Sequence, residues 1–109
     1  MFIREWRGRA KQADAARYPE YLCKEVSRQL RQAPGFQGGY LSRREVGDQV
    51  EFLVLTRWKS MDAIREFTGS VAENAVLDPG AMATLVTYDH SVRHYEVLED
   101  LWKPRLPKG

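Results

Sequence analysis

The stretch from Val50 to Trp58, "VEFLVLTRW", limits the fold more than any other part of the chain. Phe52, Val54 and Trp58 share one parity and Leu53 and Leu55 the other, so a strand here is apolar on both faces. Such a strand has to be covered from two sides. The run before it, "GYLSRREV", is separated from it by Gly47-Asp48, turn chemistry that joins two antiparallel strands into a hairpin.

The neighbours of this hairpin show what covers one side. "FIREWRG" mixes β-branched and aromatic residues with charges near period two, which predicts a first strand ending at Gly8. From Asp14 the spacing changes: Leu22, Val26 and Leu30 recur every fourth residue, with Cys23 and Ala33 on the same side, as in an amphipathic helix. Pro19 places the start of the main helix near Tyr18 or after a short turn from Asp14. Pro34 and Gly35 in "APGFQGG" stop it. Ser60 is an N-cap, and Met61, Ile64 and Phe67 follow it at helical spacing until Gly69. "SVAENAVLDPG" predicts a second short helix ending before Pro79-Gly80, and residues 81–90 read as a loop with one helical turn. "SVRHYEVL" alternates and predicts the last strand, with Val92, His94 and Glu96 on one face and Arg93 and Tyr95 on the other.

Strand, helix, strand, strand, helix, strand is the split βαβ order of a ferredoxin-like α+β fold, an antiparallel sheet with both helices on one face. The other face of Val50–Trp58 then needs a partner, and a second sheet from an identical subunit covers it most economically. Residues 1–100 are expected to form one domain and 101–109 a polar C-terminal tail. At 109 residues one core is possible and a second domain is not expected.

Composition removes several function classes. With 17 basic and 15 acidic residues interleaved along the chain, the net charge of +2 gives no basic block of the kind that binds nucleic acid. Cys23 is the single cysteine, so neither an intrachain disulfide nor a paired-thiolate metal site is expected. The charged opening "MFIREWRGRA" does not read as a signal peptide, and no run approaches the roughly 18 apolar residues of a membrane span, so a cytoplasmic protein without membrane partners is expected. "GFQGG" opens a strand, not a helix, and forms no phosphate loop.

"REWRG" at 4–8, "PGFQGGYLSRR" at 34–44, "FLVLTRWKSMDAIREFTG" at 52–69 and "VRHYEVLED" at 92–100 together resemble the antibiotic biosynthesis monooxygenase-like (ABM domain) proteins. The resemblance implies a dimeric α+β barrel and therefore a homodimer. It implies a cofactor-independent oxidoreductase of monooxygenase type, acting on a small aromatic or polycyclic compound in a pocket between helices and sheet. The same fold also hosts non-catalytic small-molecule-binding and stress-response proteins, which stand as the alternative.

Trp58 matches the tryptophan that quinone-forming members place beside the substrate, where an indole stacks on a flat ring and its N–H makes a hydrogen bond. The same residue also reads as packing for the strand-to-helix junction under Ile64 and Phe67, and that is the reading preferred for it. Those members resemble a pattern with Asn four residues before the Trp and Tyr six after, where this chain has Val54 and Ile64. Haem degraders of the family use a histidine ligand about ten residues after a helical Trp. Aligned so, Phe67 takes the place of the Trp and Val76 that of the histidine, which disfavours haem degradation. No haem, flavin or metal is expected. His94 is the candidate catalytic base, since an imidazole takes a proton from a phenol near neutral pH, and its plain alternative is a hydrogen-bonded structural histidine. Trp58, Phe67, Tyr40, Trp6 and Arg4 are the candidate substrate-binding residues.

Overall fold

A computed structural model describes residues 1–69, 71–76 and 78–101. The expected hairpin is its backbone: β2 (Phe36–Val46) and β3 (Gln49–Trp58) pair from Val46↔Gln49 upward through a two-residue turn. Gly47 takes φ 60° there, the first central position of a hairpin turn, which a residue with a Cβ rarely adopts. On the other side of β3 lies β1 (Phe2–Lys11), antiparallel over its full length from Phe2↔Trp58 to Lys11↔Gln49. β1 therefore runs three residues past Gly8, where the sequence suggested it would stop. Gly8 is interior because a Cβ there would meet the Trp6 ring at 2.7 Å.

The last strand is split. β4 (Thr87–Tyr88) pairs with Gly8 and Arg9, and β5 (Arg93–Glu96) pairs with Phe2–Glu5. The register moves from Gly8↔Tyr88 to Glu5↔Arg93, so extra residues bulge out between the two pieces. The Arg7 N–H donates to the Asp89 carboxylate at 3.0 Å inside that bulge, and the Asp89 N–H donates to the Arg7 carbonyl at 2.9 Å. The sheet order is β2-β3-β1 followed by β4 and β5, the ferredoxin-like arrangement expected from the order of elements.

The first helical arm begins with a turn at Gln12–Asp14 and continues as α1 (Arg17–Tyr21), a π-helical segment (Leu22–Val26) and α2 (Ser27–Gln32). The wider π turns rotate the following residues, and Cys23 comes out exposed instead of joining Leu22, Val26 and Leu30. α3 (Met61–Thr68) starts where Ser60 Oγ accepts the Ala63 N–H at 3.1 Å, and Gly69 ends it at φ 91°. The helix expected before Pro79-Gly80, across 70–78, is not present in its described part. Residues 71–76 run as a turn and a bridge, Asn74↔Ser91, tied down by the Ala75 N–H to the His90 carbonyl and the Val92 N–H to the Glu73 carbonyl. Pairing to the 90–92 segment satisfies this backbone from outside, so it does not need a helix. Ser70 and Leu77 of that stretch lie outside the described residues. The helical turn comes later, as α4 (Pro79–Met82), with Asp78 capping the Gly80 N–H at 2.8 Å and Pro79 at its first position. Of the expected C-terminal tail, 102–109 lie outside the described residues.

Both faces of the sheet follow from parity. Inward, β1 sends Arg4, Trp6, Gly8 and Ala10, and β3 sends Val50, Phe52, Val54, Thr56 and Trp58. Two buried clusters result, one of Ala10, Ala15, Tyr18, Val50 and Phe52, the other of Trp58, Ala63, Ile64 and Ala72. Outward, Leu53 and Leu55 sit among ion pairs: Glu51 accepts from Arg9 and Arg44, and Arg93 bridges Glu5 and Asp89. No helix of the described residues is long and apolar enough to cross a membrane.

Candidate functional site

Between the helical arm and the sheet lies a cavity of about 220 Å³ whose wall takes residues from both core clusters. β1 contributes Arg4 and Trp6, and β3 contributes Val54, Thr56 and Trp58. The helical arm adds Tyr18 and Tyr21, then Leu22, Glu25 and Val26 from the π segment, then Gln29 and Leu30. Phe67, Val76, Asp78, Met82, Leu85 and Val92 close the remaining side. The wall is mostly apolar with a few polar groups converging on it, the usual composition of a small-molecule site.

Trp58 is fully buried. Its indole Nε1 donates to Thr56 Oγ1 at 2.8 Å, and its ring meets Phe36 edge-on at 5.4 Å and Phe67 at 5.3 Å. The two readings of Trp58 therefore coexist: it packs the β3–α3 junction against Ile64 and also lines the cavity. Its N–H is spent on Thr56 and its ring is fully buried, so it backs the cavity wall behind the partly exposed rings. Trp6 is arranged likewise, with Nε1 donating to the Asp89 carbonyl at 2.9 Å and its ring 5.5 Å from that of Tyr18. Burial raises the Tyr18 phenol, and the neighbouring Tyr21 adds to the shift, so Tyr18 stays neutral.

Arg4 is the only one of the candidate residues carrying a permanent charge, and it is only 8% exposed. Nη1 donates to the Ala72 carbonyl at 2.6 Å, Nη2 donates to the Asn74 carbonyl at 3.0 Å, and Nη1 lies 3.0 Å from His94 Nε2. A guanidinium has donors only, so His94 Nε2 accepts and its ring proton sits on Nδ1. Burial lowers Arg4 to about 10, against an opposing pull from Glu73, which still leaves it protonated at neutral pH. Burial also lowers His94, and the Arg4 charge lowers it further.

Of the six candidate residues, Arg4, Trp6, Trp58 and Phe67 meet at the cavity. Tyr40 does not. It is 68% exposed and pairs with Leu55 on the outward face. A register shift between Phe36 and Gly38 is the cause: Phe36 stays inward against Trp58, and every later residue of β2 changes side. His94 stands behind the wall rather than in it, and the nitrogen that would take a substrate proton already holds Arg4.

Tyr21 and Asp78 had no signal in the sequence, because they come from separate elements that touch only in the folded chain. Both line the cavity and both lie over Gly80, where an added Cβ would stand 3.0 Å from the Tyr21 ring and 3.1 Å from Asp78 Oδ1. The hydrogen bond to Asp78 pushes the Tyr21 phenol up to about 12 and lowers Asp78. Among the described residues no group of three or more His, Cys, Asp or Glu side chains is placed to hold a metal ion.

The sequence model of the antibiotic biosynthesis monooxygenase family matches residues 1–76, which carry β1 to α3 and most of the cavity wall. The chain belongs to this family. Solved structures agree on the fold. An antibiotic biosynthesis monooxygenase structure from Bacillus cereus superposes with a TM-score of 0.64 at 18% identity, covering 91% of this chain and 96% of the other. SnoaB, a cofactor-independent oxygenase from Streptomyces nogalater, gives 0.60 at 16% identity over 94% of this chain and 97% of its own. The haem degrader MhuD from Mycobacterium tuberculosis gives 0.57 at 20% identity over 91% and 98%. No curated protein matches the chain. Haem does not fit the residues present: Val76 stands where the family resemblance places the axial histidine, and neither His90 nor His94 is in the cavity wall.

Proposed function

We propose that this family member binds a small, flat aromatic compound in the cavity between helical arm and sheet and, as a monooxygenase-type protein, oxygenates it without a cofactor. The observation that carries this reading is the cavity wall itself: Phe67 and Trp6 offer ring faces, the fully buried Trp58 backs them, and Arg4 supplies one buried charge to orient a polar edge. In the enzymatic form the substrate provides the electrons. A hydroxyarene loses its proton, a ring carbon of the resulting anion bonds dioxygen, and loss of water from that peroxide leaves a quinone that keeps one of the two oxygen atoms. Family membership and the fold shared with SnoaB, a cofactor-independent oxygenase, support the class of reaction.

Non-catalytic binding is the second reading, and two observations favour it. Val54 lines the cavity and Ile64 is fully buried, at the positions where the quinone-forming pattern has Asn and Tyr. The His94 nitrogen expected to act as base is also engaged by Arg4. Oxygen-electrode assays with a panel of hydroquinones, run beside calorimetric binding of the same compounds, separate the two. Turnover supports oxygenation, binding without oxygen uptake supports the second reading, and neither binding nor uptake overturns both.

The working unit is proposed to be a homodimer formed through the outward sheet face. Leu53 and Leu55, with Tyr40 68% and Tyr95 51% exposed, make an apolar area no helix covers. Cytoplasmic residence is proposed with it.

A further inference from the structure

We propose that Arg4 is the anion-holding residue of the cavity, with His94 as its positioning residue, so that a hydroxyarene is bound there as its conjugate base. This rests on the reading that the cavity takes a flat aromatic compound, and it names the form in which that compound is held.

Arg4 is a buried cation, and among the described residues its guanidinium makes no ion pair with a carboxylate. A charge removed from water without a counter-ion is costly to the fold, and such a site favours an anion that can enter it. The N–H groups of Nη1 reach Ala72 and His94 and one of Nη2 reaches Asn74, and the described residues supply no acceptor for Nε–H or the second Nη2–H. No fully buried side-chain nitrogen or oxygen among the described residues lacks a partner, so Nε, for which the described residues supply no acceptor, is not sealed from accessible space. Arg4 borders the cavity, and that space is where a ligand oxygen would sit.

Three carboxylates oppose an anion here, Glu73 beside Arg4 and Glu25 and Asp78 in the cavity wall, and among the described residues none of them forms an ion pair with Arg4. Thr56 faces it from β3 and is uncharged, and His94 on β5 is neutral while it accepts from Nη1. Glu73 in the 71–76 segment attracts it without forming an ion pair, and Arg65 on α3 adds positive potential at His94. On binding, the ligand O–H bond breaks heterolytically, its proton passes to the buffer, and the oxygen keeps the electron pair against the guanidinium. No electron is transferred in this step. An opposite charge a few ångströms away lowers an acid's midpoint by about 1–3 pH units.

The test uses 4-nitrophenol, whose ionisation is read by absorbance, and its methyl ether 4-nitroanisole, both without oxygen. The wild-type protein is expected to lower the midpoint of bound 4-nitrophenol by about one pH unit or more and to bind it at least about tenfold more tightly than the ether at pH 8. Arg4→Met is expected to remove both effects, Arg4→Lys to keep part of the midpoint shift, and His94→Phe to shrink the shift while the cation remains. Equal affinity for phenol and ether, or an unshifted midpoint, in the wild-type protein overturns the proposal whether or not the variants fold. Oxygen uptake with hydroquinones in the same preparation would then leave the proposed function standing.

Discussion

Trp58 is held by Phe36, Phe67 and Ile64 and anchored through Thr56, so its removal opens a hole at the centre of one core cluster. Trp58→Ala is expected to cost about 3–5 kcal/mol, read by denaturant unfolding. Trp58→Phe keeps most of the ring contacts and loses the bond to Thr56, so it is expected to fold and to retain most ligand affinity. A Trp58→Ala protein that melts within about a degree or two of the parent would remove Trp58 from the core. His94 gives a pH signature of a different kind. Burial and the Arg4 charge depress it in the fold, so as pH falls through the ordinary histidine range the unfolded chain takes up the proton first. Stability is therefore expected to fall as the pH drops through the ordinary histidine range, from about pH 7.5 downward, and His94→Asn is expected to flatten that slope in unfolding curves at several pH values. Glu51 and Asp78 are also depressed, Glu51 chiefly by Arg44 and Asp78 chiefly by Tyr21, but their losses begin only as the pH falls into the ordinary carboxylate range, below where the His94 loss sets in.

The elements that shape the cavity each depend on a local device. The π segment Leu22–Val26 turns Leu22, Glu25 and Val26 to the cavity, and Ser27 Oγ donates to the Cys23 carbonyl at 2.6 Å as the helix returns to α geometry. At the other end, Gly35 leads from α2 to β2 at φ 82°, and a Cβ there would stand 2.6 Å from that of Ala63 on α3. Gly35→Ala is therefore expected to destabilise by more than about 1 kcal/mol, through backbone strain and by pushing α3 away from Trp58. Ser60→Ala, which removes only the cap on Ala63, is expected to cost about 1 kcal/mol in the same measurement and to leave the cavity intact. A Gly35→Ala protein as stable as the parent would mean that this connection relaxes freely.

For the molecule as a whole, the division of the core into two clusters creates the binding space, since the cavity lies where neither cluster fills the interval between arm and sheet. The outward face is where the proposed homodimer would form. Leu53 and Leu55 lie between the Arg9–Glu51–Arg44 and Glu5–Arg93 ion pairs, an apolar centre with a charged rim of the kind found at protein interfaces. Light scattering at micromolar concentration is expected to give twice the mass of one chain, and Leu55→Asp to shift it toward one. A single-chain mass for the unaltered protein would overturn the dimer.

The sequence by itself determined the hairpin, the Ser60 cap, the parity of β3 and β5 and the order of elements, because period, turn chemistry and capping are properties of neighbouring residues. From these the ferredoxin-like fold was legible, as was the inward placement of Arg4, Trp6 and Trp58. What the tertiary structure alone decided depends on partners far apart in the chain. The shift after Phe36 turned Tyr40 outward, pairing to the 90–92 segment replaced the helix expected in 70–78, and the bulge beside Asp89 split the last strand. A one-residue change of register reverses every side chain beyond it, and no local pattern records that. The engagement of His94 by Arg4 and the approach of Tyr21 to Asp78 belong to the same class: each residue is ordinary in its own segment, and its chemistry is set by what the fold brings against it.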